Sequence, residues 1–136
     1  MAGCARALKA RPSAQARGWL LVSLALVMAA AEALPPPEAR AEIAALIEAL
    51  AGSGCRFQRN GSWYDGERAR THLQRKYEYL LRKDLVDTAE QFIDRAASAS
   101  SLSGRPYRVG CRGGEQDAGP WFRARLQQLR ARAAAP

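Results

Sequence analysis

Apolar positions along the chain recur with a helical period in four stretches and alternate in two. Ile43, Leu46, Ile47 and Leu50 fall at i, i+3, i+4 and i+7, one apolar stripe that predicts a helix over 38–51. Glu38 and Glu42 sit in its first turns, where the helix dipole favours anions, and Gly52-Ser53-Gly54 stops it. Cys55–Arg59 alternates and reads as a short strand, which Asn60-Gly61 turns. Asp65 is placed to cap a second helix over 66–83. Its buried stripe is Ala69, Leu73, Tyr77, Leu80 and Leu81, and another face carries Arg68, His72, Arg75, Lys76 and Tyr79. Asp87 with Glu90 makes a capping box for a third helix over 88–99, burying Ala89, Phe92, Ile93, Ala96 and Ala97. Arg105–Cys111 reads as a second strand and 113–119 as a loop. Pro120 suits the first turn of a last helix over 120–133, with Trp121, Phe122, Leu126 and Leu129 inward.

The start of the chain has a different pattern. Arg6, Lys9, Arg11 and Arg17 precede the apolar run Trp19–Ala31, followed by small residues and prolines. That order is a secretory signal. The run is shorter than the roughly 20 residues a membrane-spanning helix needs, so an integral membrane protein is not expected. Cleavage after Ala33 fits best and after Ala31 next. Residues 1–33 therefore read as the signal peptide, and 34–136 as one small domain in the periplasm of a bacterium or secreted from it.

Charge and cysteine content change meaning once that segment is removed. The whole chain of 136 residues has a formal charge of +8. Residues 34–136 retain 17 basic against 12 acidic side chains, a moderate excess. An exported protein does not meet a chromosome, so nucleic acid is excluded as a partner. Cys4 leaves with the signal, and Cys55 and Cys111 remain as an even pair in an oxidising compartment. A disulfide between them would close a loop of roughly 57 residues and contribute about 4 kcal/mol. Two cysteines and one distant histidine lack metal-ligand spacing, so neither metal nor cofactor is implied.

If Cys55 opposes Cys111 in an antiparallel pair, Phe57 opposes Val109 and Arg59 opposes Tyr107. Each strand then turns its apolar residues to one face. The expected fold is α+β: about four helices on a short two-stranded antiparallel ribbon with one disulfide.

The stretch from Cys55 to Cys111 resembles a family of small exported bacterial proteins of unknown function. The residues that carry the likeness are Arg59-Asn60-Gly61 with Trp63-Tyr64, Ala69, His72-Leu73, Lys76-Tyr77, Thr88–Ile93, Ala96-Ala97, Ser100–Gly104 and Pro106-Tyr107. The resemblance implies a periplasmic location and one domain, and it supplies no activity or catalytic residue.

The register brings the Asn60–Tyr64 turn beside the Ser100–Ser103 turn. Arg59, Asn60, Ser62, Ser101, Ser103 and Arg105 would gather there near the start of the second helix, an anion-friendly end of the ribbon. His72 and Lys76 share a helix face close by, and Trp63, Tyr64 or Tyr79 is placed to stack on a ligand, with Trp63 or Tyr64 expected nearest the two turns. The expected binding residues are thus Arg59, Asn60, Trp63, His72, Lys76, Ser101 and Ser103. The function expected from them is non-enzymatic binding of an anionic or cell-envelope ligand or a peptide, with an envelope ligand or a periplasmic protein as partner. Two alternatives stand beside it: a small hydrolase using His72 with Ser101 or Ser103, and a structural or interaction protein without a ligand. No Gly-x-Ser-x-Gly elbow supports the hydrolase.

Overall fold

Helices and strands follow one another in a computed structural model that describes residues 33–136. The expected signal segment, residues 1–33, lies outside the described residues except for Ala33 itself. In chain order the elements are α1 (Pro37–Gly52), β1 (Arg56–Arg59), β2 (Ser62–Tyr64), α2 (Gly66–Arg82), α3 (Ala89–Phe92), β3 (Arg108–Cys111), β4 (Gly114–Asp117) and α4 (Ala118–Ala133). A π-helical turn, Ile93–Ala97, prolongs α3.

The two-stranded ribbon expected from the sequence is corrected to a four-stranded antiparallel sheet in the order β2-β1-β3-β4. The expected pair forms its middle, with Phe57 opposite Val109 and Cys55 bonded to Cys111. Each outer strand is added by a two-residue turn. Asn60 and Gly61 both have positive φ, 49° and 84°, the backbone of a tight hairpin whose twist matches the strands. Ser62–Tyr64 therefore returns along β1, with Arg59 opposite Ser62 and Phe57 opposite Tyr64. At the other edge Cys111 opposes Gly114 across Arg112-Gly113, and Gly114 has φ 121°. The segment expected as a loop thus contains β4. Its residues are all exposed, so no apolar alternation betrays it. Arg108 ties it down through Glu115 at 3.6 Å and Asp117 at 3.7 Å.

One face of the sheet, with Phe57 and Val109, packs on the helices. Ile43, Leu46, Ile47 and Leu50 of α1 are buried, as are Ala69, Leu73, Tyr77 and Leu80 of α2. Ala89, Phe92, Ile93, Ala96 and Ala97 complete that layer with Trp121, Phe122 and Leu126 of α4. Asp65 caps α2 by accepting from the Arg68 amide at 2.8 Å.

The cap of α3 sits one residue later than expected. Thr88 accepts from the Gln91 amide at 3.1 Å, and Gln91 Oε1 accepts from the Asp87 amide at 2.6 Å. The box is Thr88–Gln91, which leaves Glu90 on the surface for Arg130. At the far end Ser98 donates to the Ile93 carbonyl at 2.7 Å. Gly119 passes so close that a Cβ there would lie 2.8 Å from Ser98 Oγ.

Candidate functional site

The β1–β2 hairpin and the first half of α2 border an open cavity of about 400 Å³. It forms because two periods meet. Ala69 and Leu73 turn one stripe of α2 into the core, which leaves Arg68, His72 and Arg75 on the adjoining face at i, i+4 and i+7. On the hairpin, Phe57 and Arg59 share a face by the period of two, and Tyr64 joins them as the cross-strand partner of Phe57. Phe57, Arg59, Tyr64, Glu67, Arg68, Ala69, Thr71, His72 and Arg75 line the space.

His72 is at the centre of a hydrogen-bonded chain. Arg59 Nη1 donates to its Nδ1 at 2.8 Å, and its Nε2 lies 3.3 Å from the Tyr107 hydroxyl. Because a guanidinium has only donors, Nδ1 must accept, and the ring proton sits on Nε2. Lys76 Nζ donates to the Ala99 carbonyl at 3.2 Å and to the Tyr107 hydroxyl at 3.4 Å. The Arg59 guanidinium also lies over the Tyr64 ring, 5.3 Å from its centroid.

This arrangement disfavours further positive charge. Burial, then the Arg59, Lys76 and Arg75 cations, lowers the His72 pKa to about 4, so the ring is neutral at pH 7. Burial and then Arg59 bring Lys76 down to about 8. Burial raises the Tyr107 hydroxyl, whereas the hydrogen bond from Arg59 lowers that of Tyr64. Glu67, the one carboxylate in the lining, is held by Arg70 at 2.8 Å. Among the described residues Arg70, Arg108, Arg123 and Arg130 each have a carboxylate partner, and Arg59, Arg68 and Arg75 are among the other arginines, which make no ion pair.

Five of the seven expected site residues fall into two groups. Arg59 and His72 meet in the cavity wall, with Lys76 just behind them on Tyr107. Asn60 and Ser103 also meet, Ser103 Oγ donating to Asn60 Oδ1 at 2.8 Å, so the two turns are neighbours as the register requires. That contact lies at the hairpin tip, and neither residue lines the cavity. Ser101 is exposed. Neither Ser101 nor Ser103 is bonded to His72, whose two nitrogens face Arg59 and Tyr107.

Trp63 is on the opposite face of the sheet, opposite Gln58. There Arg56 lies over its ring at 5.8 Å, and a Cβ on Gly110 would meet that ring at 3.0 Å. Of the two aromatics expected beside the turns, Tyr64 lines the cavity and Trp63 does not. The signal for it was present: an Asn-Gly hairpin sets Tyr64 opposite Phe57. Tyr107, hydrogen-bonded to His72 and Lys76, is a neighbour the sequence reading left out. Among the described residues no three His, Cys, Asp or Glu side chains gather where they could hold a metal. None of the described helices is long and apolar enough to cross a membrane.

Residues 37–130 match the family described as "Family of unknown function (DUF5329)". A 68-residue segment is 44% identical to "Uncharacterized protein YfeK" of Salmonella typhimurium, spanning 49% of this chain and 55% of that protein. The chain thus matches about half the length of this curated relative. No solved structure matches it. With more than half of its length matched, the chain belongs to this family of unknown function.

Proposed function

We propose that this member of the family is a non-enzymatic binding module, exported to the periplasm, that takes an anionic ligand in the cavity between the β1–β2 hairpin and α2. One observation carries the reading. Three arginines, Arg59, Arg68 and Arg75, line a concave space without a carboxylate partner among the described residues. An anion entering there would meet donors that need not first leave another anion, Arg59 held in place by His72 and Arg68 and Arg75 on the exposed face of α2. Arg59 would exchange a neutral imidazole for a charged acceptor, turning a cation–dipole hydrogen bond into an ion pair with the planar guanidinium fork. Export is supported by the order of basic, apolar and small residues before Leu34, and by a Cys55–Cys111 disulfide of the kind that persists in oxidising compartments. The hydrolase alternative has no such support, because a serine nucleophile needs a base within hydrogen-bond reach.

Thermal melts test this reading with inorganic phosphate, acetate and larger organic anions, since a ligand that binds only the folded state raises the melting temperature. The expected result is a rise with anions that Arg59→Ala removes. No rise with any anion would overturn it.

A further inference from the structure

We propose that the ligand is an amphiphilic organic anion, with a ring or short hydrocarbon face beside its charged group, rather than a bare inorganic ion. This rests on the anion reading above and adds the class of molecule. The cavity has two kinds of wall. The half-exposed Tyr64 ring gives it an apolar side, backed by Phe57 and Ala69, which are themselves buried in the core. Arg59, Arg68 and Arg75 give it a cationic one. A volume of about 400 Å³ falls within the range of small-molecule sites, roughly 300–1,000 Å³. A water occupies about 30 Å³ in the liquid, so an inorganic oxyanion would leave most of the space wet and the apolar wall uncovered.

The boundary between the two walls is also defined. The Arg59 guanidinium lies over the Tyr64 ring while its Nη1 is held by His72. That stack fixes the anion-binding donors beside an aromatic face, so one molecule with both characters can use both at once. Glu67 is already paired with Arg70, so the lining presents no unpaired carboxylate to oppose the charged end.

Calorimetric titration of the protein at pH 7 tests the proposal with phenyl phosphate and benzoate against inorganic phosphate and acetate, and with phenol as the uncharged control. The expected result is that each aromatic anion binds about tenfold tighter than its small counterpart and that phenol does not bind. Tyr64→Ser should reduce that ratio towards one, and Tyr64→Phe should keep it. Equal affinity for aromatic and small anions in the unmodified protein overturns the amphiphile and leaves the anion reading intact. Phenol binding as tightly as phenyl phosphate overturns both in favour of a purely apolar pocket. Binding of none of the five overturns both as well. The ratio in the unmodified protein decides the matter even if Tyr64→Ser fails to fold.

Discussion

Two arginines, Arg130 and Arg59, show how differently one side chain is used on the two sides of this fold. Arg130, on α4, bonds Glu42 of α1 through Nε and Nη2 at 2.7 and 2.9 Å, and Glu90 of α3 through Nη1 at 2.6 Å. Those carboxylates raise its proton affinity, and it in turn lowers the pKa of Glu90. Its charge is matched, and it ties three helices together. Arg59 has a neutral imidazole and a phenol ring as its partners, and it adds to the burial that lowers the proton affinity of the histidine it bonds. A cation that holds a fold is recognised by the carboxylates around it. Arg59 is left unmatched on a concave wall, beside His72 and Lys76, whose charging is opposed first by burial and then by Arg59, and the proposed anion would supply the missing partner.

The largest expected effect comes from breaking the sheet on which the cavity is built. Replacing both cysteines, Cys55→Ala with Cys111→Ala, removes the bridge between the middle strands and should lower stability by about 4 kcal/mol. Denaturant melts of the two proteins measure it, and the same loss should follow full reduction of the unmodified protein.

The next experiment separates the two arginines. Arg130→Ala leaves Glu42, whose side chain is only 14% exposed, without its cation, and should cost about 1–2 kcal/mol with anion affinity unchanged. Arg59→Ala should cost less than about 1 kcal/mol in the free protein and should abolish anion-induced stabilisation. Melts with and without phosphate distinguish the two outcomes. A large stability loss for Arg59→Ala with no change in ligand response would make the two arginines equivalent and end the contrast.

Acid and alkali sharpen it further. His72 has a folded pKa of about 4 against roughly 6.5 in an unfolded chain. As pH falls below 6.5 the unfolded chain takes up the proton first, so stability should fall between pH 6.5 and 4 and level off below that. His72→Gln should flatten this dip. Lys76, at about 8 when folded, gives up its proton before the unfolded chain does, so stability should rise between pH 8 and roughly 10.5. An anion bound beside Arg59 offsets the cations that depress His72, so binding below neutral pH should take up protons. Titration in buffers of different ionisation heat measures that uptake.

How much of this was legible depends on where the specifying contact lies. The helices could be read because each buries its own stripe. The middle register could be read because Cys55, Phe57, Val109 and Cys111 agree on it. β2 was missed because Trp63-Tyr64 is too short to alternate, although Asn60-Gly61 announces the hairpin. β4 was missed for a deeper reason: Glu115, Gln116 and Asp117 carry no apolar signal, and only pairing with β3 makes them a strand. The cap of α3 was misplaced by one residue because Asp87 and Thr88 can both cap, and the choice falls to Gln91. The α2 face of the site, Arg68, His72 and Arg75, was visible as a periodicity. Which of Trp63 and Tyr64 shares that side was not, because it depends on the pairing of the missed strand, which sets Tyr64 opposite Phe57.

The smallest expected effect tests the boundary of the site at the place where the sequence and the geometry differ most. Ser103 meets Asn60 at the hairpin tip through one exposed hydrogen bond. Exposed groups exchange such a bond for water, so Ser103→Ala should cost no more than about 0.5 kcal/mol. Neither residue lines the cavity, so phosphate affinity should stay within about twofold of the unmodified protein, and Trp63→Phe, on the far face of the sheet, should leave it equally unmoved. A tenfold loss for Ser103→Ala with an unchanged melt would mean that the ligand reaches past Arg59 to the tip. The site would then be the end of the sheet rather than the space beneath the hairpin, and Arg68 and Arg75 would lose their place in it. Arg68→Ala in the same titration separates these two geometries, since only the cavity requires that arginine.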